Sequence, residues 1–197
     1  MLYLPYIIEQ IQNYPAWYFA YHYGTLPAIF LSMLALVIFI SSWAVPKFTS
    51  VRKFCLLILL TTAIGPGIII NGVLKDHWGR PRPRQVKEFG GQWEFKEIWQ
   101  HGIPGKGKSF PCGHCSMGFL FIVLYYSFKK KNQIIAYSSL GFSFAYGSFI
   151  GVARIAQGGH ILSDVILSGG LTYLIASILY YDILKIPDLE INSLIPP

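Results

Sequence analysis

The residues best suited to chemistry lie in one stretch, RIAQGGHILSD, which runs from Arg154 to Asp164. If a helix begins near His160, then His160 and Asp164 lie one turn apart on the same face. A carboxylate in that position can hold one imidazole nitrogen and leave the other free to attack a substrate. Arg154 carries a planar, permanent charge that suits phosphate, and two glycines before His160 leave room for a bulky oxyanion. The stretch predicts an anion site built around a nucleophilic histidine.

A structural interpretation of the same stretch is also open. A histidine at a helix start is commonly a cap or a surface residue, and a nearby arginine is commonly an anchor at the membrane interface. Asp164 weighs against this interpretation, because residues 165–184 are almost wholly apolar and a carboxylate at the edge of such a helix costs free energy. Partners elsewhere in the chain must decide between the two interpretations.

A second candidate segment reads KDHWGRPRP and begins at Lys75. Arg82 lies between two prolines, which restrict the backbone and so lower the entropy lost when an arginine is held on a ligand. Lys75 supplies another cation at the end of an apolar run. The structural alternative is a lysine that reaches to the membrane surface, followed by a basic loop in contact with lipid headgroups.

A third candidate segment reads SFPCGHC and begins at Ser109. A helix that starts after the proline, at Gly113, exposes backbone N–H groups to an anion. His114, next to it, can protonate a leaving oxygen as a general acid. The spacing of Cys112 and Cys115 also fits a redox or zinc site, although the remaining tetrahedral ligands of a zinc site are not evident. A disulfide between the two is expected if this side of the membrane is oxidising.

The composition is that of a membrane protein. Hydrophobic residues make up 53% of the chain and charged residues only 13%, whereas a soluble domain is about one quarter charged. The net charge of +7 does not indicate nucleic acid, because the basic residues fall in short clusters between apolar runs. No cleavable signal pattern is expected, since residues 1–24 contain no lysine or arginine.

Five apolar segments predict an all-α fold, a polytopic transmembrane helical bundle. They cover approximately residues 26–45, 54–74, 115–128, 134–152 and 161–183. The aromatic, proline-interrupted N-terminus predicts one or two interfacial helices, and a membrane-crossing helix over residues 3–22 is the alternative. The predicted domains are an interfacial segment (1–24), one transmembrane domain (25–185) and a C-terminal tail (186–197).

Basic residues predict the orientation of the bundle in the membrane. The cations of the short loops mark the cytoplasmic side, and they are Lys47, Arg52, Lys53, Lys129, Lys130, Lys131 and Lys185. The N-terminus, residues 75–113 and the junction that holds Arg154 and His160 then face outward. The 75–113 loop carries eight cations against four carboxylates, contrary to the positive-inside rule. An anionic substrate accounts for that excess.

Taken together, the three segments resemble the three-part signature of the type 2 phosphatidic acid phosphatase (PAP2) superfamily. That family also includes soluble vanadium haloperoxidases and the glucose-6-phosphatases. The resemblance spans roughly residues 52–180 and is carried by Lys75-x6-Arg82-Pro83, Pro111-x-Gly113-His114 and Arg154-x5-His160-x3-Asp164.

The resemblance implies a metal-independent lipid phosphatase that needs no cofactor and works through a phosphohistidine. His160 would attack phosphorus and Asp164 would orient it. His114 would protonate the leaving group and then activate water. The phosphoryl oxygens would be bound by Lys75, Arg82, Gly113 and Arg154. Three cations would stabilise the charge that develops in the transition state.

Two positions depart from the family pattern. Cys112 and Ala153 stand where the family usually has serine. A thiol is a weaker donor than a hydroxyl and alanine is none, so a slower reaction or an altered phosphate pocket is expected. All the charged and imidazole members of the signature are present, and an enzyme is therefore still expected.

A phosphorylated lipid in the bilayer is the expected substrate. Residues 85–93 are similar to a loop of bacterial lipid A phosphatases in this superfamily, which implies lipid A, a bacterial inner membrane and a site facing the periplasm. Undecaprenyl pyrophosphate and phosphatidylglycerol phosphate are the alternative substrates. The alternative from another class is a non-catalytic membrane protein that binds anionic lipids. The sequence predicts neither the position of the phosphate on lipid A nor an oligomeric state.

Overall fold

The computed structural model describes residues 14–187, and within that range the fold is helical, without a β-strand. Its α-helices are α1 (Pro15–Tyr23), α2 (Leu26–Ser41), α3 (Arg52–Thr62), α4 (Lys75–Trp78), α5 (Gly113–Phe119), α6 (Ile122–Phe128), α7 (Gln133–Ala156) and α8 (Leu162–Ile178). Helices of π type join α3 to α4 (Ala63–Leu74) and extend α8 (Leu179–Ile183). Short 3₁₀ turns cover Pro46–Val51, Pro83–Gln85 and Lys87–Phe89.

Four helical segments of the described chain are long and apolar enough to cross a membrane: Pro15–Ser41, Pro46–Gln85, Gln133–Ala156 and Leu162–Ile183. A further apolar segment, Gly113–Phe128, is shorter, as its sequence predicted. The predicted all-α polytopic bundle is therefore confirmed. Helix α1 is the first part of the Pro15–Ser41 segment, so that segment begins within the predicted interfacial region. Residues 1–13 of that region and the tail beyond residue 187 lie outside the described residues.

The second segment changes its helix type around Pro66. Proline has no N–H to donate and disturbs the α-helical hydrogen-bond ladder, and π-type turns accommodate that disturbance. The side chain of Asn71 donates a hydrogen bond of 2.6 Å to the Pro66 carbonyl oxygen. The segment then returns to α-helix at Lys75, four residues after Asn71.

Glycines allow α5, α7 and α8 to approach closely. A Cβ atom on Gly118 of α5 would lie 2.8 Å from the Gly147 Cα atom of α7. Side chains on Gly147 and Gly151 would collide with Phe119 of α5 and Val165 of α8, respectively. The Gly147-xxx-Gly151 spacing therefore permits close packing of the helices that carry two of the three candidate segments.

The cations of the predicted cytoplasmic side lie together at one end of the bundle. The Lys53 ammonium donates to the Leu184 carbonyl at 2.8 Å, and the Lys129 ammonium donates to the Tyr181 hydroxyl at 2.5 Å. The Lys131 ammonium lies 4.4 Å from the centre of the ring of Phe54. The three candidate segments lie at the other ends of the same helices.

Candidate active site

Backbone hydrogen bonds bring the three candidate segments together. They run from Ser109 N to Arg80 O (3.0 Å), from Arg84 N to Gly158 O (3.2 Å) and from Cys112 N to Asp164 O (3.4 Å). Each bond joins a different pair of segments. The convergence on one face that the sequence predicted is therefore present in the fold.

His160 lies in the loop before α8 and is only 1% exposed. Its Nδ1 atom donates a hydrogen bond of 2.5 Å to the backbone carbonyl oxygen of Ser109. A carbonyl oxygen can only accept, so Nδ1 carries the proton and Nε2 of the neutral ring keeps a free lone pair. The ring is thus held in the tautomer that a nucleophilic histidine needs.

The pKa of His160 is lowered, chiefly because burial penalises the charged ring. Asp164 acts in the opposite direction, and the positive charges of Arg154 and Lys75 lower the pKa further. The net shift favours the neutral imidazole at neutral pH. Charge and hydrogen bonding therefore agree on the same reactive form.

We expect His160 to remain a neutral Nδ1–H imidazole when the pH falls to the ordinary histidine value of about 6.5. The sign follows from the lowered pKa, because protonation is then delayed to a more acidic pH. Nitrogen-15 NMR of histidine-labelled protein in detergent should show an unprotonated Nε2 signal that disappears in His160→Gln. A half-protonated ring at that pH, or an Nε2–H tautomer, would contradict the expectation.

Asp164 is completely buried and has three close partners. Its carboxylate accepts hydrogen bonds from Arg80 Nη1 (2.5 Å), the Ser109 hydroxyl (2.6 Å) and the Ile161 backbone N–H (2.9 Å). The His160 Nδ1 atom is 3.7 Å from Oδ2, which is too far for a hydrogen bond. Asp164 therefore reaches His160 through Ser109, whose hydroxyl it binds and whose carbonyl binds the ring.

Arg80 is a residue of this site for which the sequence analysis predicted no role. Its side chain is 1% exposed, and it also donates to the Ser163 hydroxyl and the Lys96 carbonyl, both at 2.9 Å. A buried carboxylate is normally paired with a cation, so the predicted burial of Asp164 could have suggested such a partner. The sequence alone did not distinguish Arg80 from the other cations of its loop.

Arg154 and Arg82 each present an unpaired N–H group at the site. Both Nε atoms are buried, and neither has a hydrogen-bond partner among the described residues. The Arg154 Nη1 group donates to the Gln157 side chain at 2.5 Å. A Cβ atom at position 159 would lie 2.7 Å from Arg154 Nη2, so a larger residue there would displace the guanidinium group. Because buried donors are normally paired, these two groups indicate the place of an anion.

Lys75 and Gly113 meet at Asn71. The Lys75 ammonium donates to the Asn71 side-chain oxygen at 3.2 Å, and the same side chain packs so closely on Gly113 that a Cβ atom there would clash. Gly113 is the first residue of α5, and Cys112 is its N-cap. The helix start and the lysine are therefore positioned by one asparagine, a residue that the sequence analysis did not single out.

Tyr21 of α1 joins two of the predicted site residues. Its ring stacks on His114 with centroids 5.2 Å apart, and the Arg154 guanidinium lies 4.5 Å from the centre of the same ring. Lys75, Arg82, Arg154 and His160 all act electrostatically on His114. The structure thus gathers the predicted phosphate-binding and imidazole side chains around His114, and α1 covers them.

The two departures from the family pattern lie in buried positions. Cys112 and Cys115 are joined by a disulfide, and the Cys112 sulfur accepts the Cys115 backbone N–H at 3.3 Å. Ala153 is fully buried beside Arg154. Among residues 14–187, no group of three or more His, Cys, Asp and Glu residues is arranged to hold a metal ion. The cysteine pair therefore forms a covalent link at the start of α5, as expected for an oxidising side of the membrane.

Comparison with known proteins gives one family and three relatives. The family model described as PAP2 superfamily matches residues 53–187. The chain is 35% identical over 155 residues to the lipid A 4'-phosphatase of Francisella tularensis subsp. novicida, an alignment that covers 77% of this chain and 68% of that protein.

Two further relatives are the lipid A 4'-phosphatases of Rhizobium leguminosarum and Rhizobium etli. The first is 38% identical over 111 residues, and the second is 36% identical over 108 residues. The matches cover 54% and 53% of this chain, but only 45% and 40% of those proteins. The chain therefore spans less than half the length of the Rhizobium relatives. No solved structure matches the chain significantly.

Proposed function

Because the chain belongs to the PAP2 superfamily, we propose that it is a membrane phosphatase that removes the 4'-phosphate of lipid A through a phosphohistidine on His160. The three relatives supply the substrate, since each is named a lipid A 4'-phosphatase. One observation supports the mechanism above all others. The neutral Nδ1–H ring of His160 shares its site with the guanidinium groups of Arg82 and Arg154, whose buried Nε donors have no partner among the described residues.

In the first step, Nε2 of His160 attacks phosphorus and the bond from phosphorus to the sugar oxygen breaks. His114, which takes up a proton when the phosphate dianion binds beside it, donates that proton to the oxygen, so that the sugar leaves as a neutral alcohol. The positive charge that develops on the ring of His160 is stabilised by Asp164, whose Oδ2 lies 3.7 Å from Nδ1. The products of this step are the dephosphorylated lipid and phosphohistidine.

In the second step, water attacks the phosphorus of phosphohistidine and the bond from nitrogen to phosphorus breaks. His114, now neutral, accepts a proton from the water. Inorganic phosphate leaves and the free imidazole of His160 is restored. Lys75, Arg82 and Arg154 bind the phosphoryl oxygens throughout, and they favour the transition state because negative charge is spread over those oxygens there.

We propose that the protein lies in the inner membrane of a bacterium with its active site on the periplasmic side. The cations of the short loops, among them Lys53, Lys129 and Lys131, lie at the opposite end of the bundle and favour the cytoplasmic side. Spheroplasts offer a direct test with a water-soluble phosphate ester that does not cross the membrane. If the site faces outward, intact spheroplasts hydrolyse the ester. Activity that appears only after lysis would show that the site faces the cytoplasm.

Phosphate release by the purified protein in detergent tests the proposed function. The substrates are lipid A with both phosphates, lipid A with either phosphate alone, undecaprenyl pyrophosphate, phosphatidylglycerol phosphate and phosphatidic acid, and the His160→Ala protein is the blank. We expect release from the two lipid A forms that carry the 4'-phosphate. Mass spectrometry of the product identifies the position that was cleaved.

The other outcomes of this assay are equally informative. Preference for undecaprenyl pyrophosphate or phosphatidylglycerol phosphate would keep the chemistry and replace the substrate. Release from the 1-phosphate form alone would move the reaction to the other end of lipid A. If the folded protein releases phosphate from no lipid, the alternative is a non-catalytic protein that binds anionic lipids. Cys112→Ser and Ala153→Ser would then test whether these two departures from the family pattern prevent catalysis.

A further inference from the structure

Two cavities on the surface of the bundle share a boundary beside His160. The first has a volume of about 550 Å³ and lies between the loop after Pro83 and the junction of α7 with α8. Its walls are mainly apolar, with Val86, Phe89 and Phe95 on the loop side. His160 itself forms part of the wall. The first cavity therefore opens directly onto the proposed nucleophile.

The second cavity, of about 240 Å³, is a groove between α7 and α8. Ile155 and Leu162 line both cavities, so the groove adjoins the first cavity at these two side chains. Small residues, Ser148 on α7 and Gly170 on α8, open its floor. We treat the two adjoining cavities as one apolar path, with His160 in the wall of its first part.

The depth of this path matches one leaflet of a membrane. Along α7 the groove extends from Ile155 to Phe144, and eleven residues of α-helix rise about 16 Å. The hydrocarbon core of a bilayer is about 30 Å thick, so half of it is about 15 Å. The path thus begins at the level of the site and ends near the middle of the bilayer.

We propose that this groove between α7 and α8 holds one acyl chain of the lipid whose phosphate is bound beside His160. The inference deepens the proposed function and rests on it. A phosphate held by Arg82 and Arg154 places the rest of its molecule in the first cavity, since that cavity adjoins the site. Within the bilayer, the part of a phosphorylated lipid that fits an apolar groove one leaflet deep is a hydrocarbon chain.

The groove rather than the general lipid surface is the expected position for the chain because of its continuity with the charged site. A bulk phospholipid gains only apolar contact there, which it also finds elsewhere on the bundle. A lipid with a terminal phosphate gains the contacts of the cations as well. Occupation of the groove should therefore depend on the headgroup, which separates a substrate chain from a bystander lipid.

Gly170→Leu is the variant that tests the proposal. Gly170 lines the groove, and a Cβ atom there has no heavy atom within 4 Å, so a larger side chain fits without a clash. Leucine also favours helix more than glycine does. Ser148→Leu fills the groove from the facing helix. Gly141→Leu on α7 is the matched control, because its Cβ position is equally open and lies outside the groove.

The first measurement compares lipid A with its acyl-free glucosamine disaccharide bisphosphate, which presents the same phosphates without chains. We expect Gly170→Leu and Ser148→Leu to lower kcat/KM for lipid A at least tenfold and to leave hydrolysis of the acyl-free compound unchanged. Gly141→Leu should change neither. An equal loss on both substrates, or no loss on lipid A, would overturn the proposal.

The second measurement does not depend on turnover. Phosphatidic acid with a photoreactive diazirine in one chain is irradiated with the His160→Ala protein, and the labelled peptides are identified by mass spectrometry. We expect labels on α7 and α8 within the groove, and much weaker labelling there by a phosphatidylcholine with the same chain. Equal labelling by the two lipids would make the groove a general lipid contact and refute the proposal.

Together the two measurements separate this inference from the proposed function. If the wild-type protein hydrolyses neither lipid A nor the acyl-free compound nor p-nitrophenyl phosphate, the proposed function fails and photolabelling alone decides the groove. If the compounds are hydrolysed but Gly170→Leu has no selective effect, the function stands and the groove assignment fails.

Discussion

Replacement of His160 by alanine is expected to lower phosphate release from the preferred lipid by at least about a thousandfold. The reason is that the variant keeps the cations but has no nitrogen to attack phosphorus, so only unassisted attack by water remains. The measurement is the initial rate of phosphate release at saturating lipid, with folding checked by size-exclusion chromatography in detergent. A variant that retains a tenth of the wild-type rate would exclude His160 as the nucleophile.

His114→Ala provides the matched comparison, because His114 acts on protons and not on phosphorus. With a phosphate ester whose leaving group needs no protonation, this variant should still form phosphohistidine and then hydrolyse it slowly. Radioactive phosphate should therefore remain on His114→Ala protein after rapid quenching at alkaline pH, and none should remain on His160→Ala. Label on the His160→Ala protein would assign the nucleophile to another residue.

Replacement of Arg80 by alanine is expected to lower the free energy of unfolding by about 3–5 kcal/mol. Arg80 and Asp164 form an ion pair in which both side chains are almost fully buried, and removing the cation leaves the carboxylate buried without its charge partner. The phosphatase activity of any folded variant should fall as well, because Asp164 holds Ser109, which holds the ring of His160. Thermal unfolding in detergent measures the first effect.

Two variants make the test of Arg80 specific. Arg84→Ala removes a nearby but exposed arginine side chain and should leave the unfolding temperature nearly unchanged. The double variant Arg80→Met, Asp164→Leu removes both charges and should lose less stability than Arg80→Ala, since no unpaired charge remains. Equal losses in Arg80→Ala and Arg84→Ala would show that the ion pair does not stabilise the fold.

The features that depend on periodic apolar patterns could be predicted from the sequence. Long runs of apolar side chains can satisfy their backbone polar groups in a bilayer only as helices, and the described helices follow those runs closely. The spacing of Gly147 and Gly151 also favours close helix contact, because a glycine in an apolar helix leaves room for a neighbouring helix. Each of these inferences depends only on residues that are close together in the sequence.

The contacts inside the site could not be predicted in the same way. The spacing of His160 and Asp164 suggested a direct contact across one helical turn, but α8 begins at Leu162 and the Asp164 carboxylate binds the backbone N–H of Ile161 instead. A short polar side chain in the first turn of a helix competes for such backbone donors. The partner that remains for the histidine, the carbonyl of Ser109, is fifty-one residues away in the chain.

The pairing of Arg80 with Asp164 could not be predicted from the sequence either. It belongs to a loop in which several arginines lie within a few residues, and only the fold decides which of them is buried. Two backbone hydrogen bonds bring the loop to the site. The Ser109 N–H donates to the Arg80 carbonyl oxygen, and the Arg84 N–H donates to the Gly158 carbonyl oxygen. Such pairings join distant parts of the chain and leave no periodic trace in the sequence.

The contact of Tyr21 with His114 and Arg154 bears on how enzymes of this kind diverge. The superfamily match begins at residue 53, so Tyr21 belongs to a part of the chain that the shared signature does not include. A change in α1 can therefore alter the surroundings of an acid–base group while every signature residue stays the same. In this chain, such changes in α1 can alter the substrate preference while the signature residues stay the same.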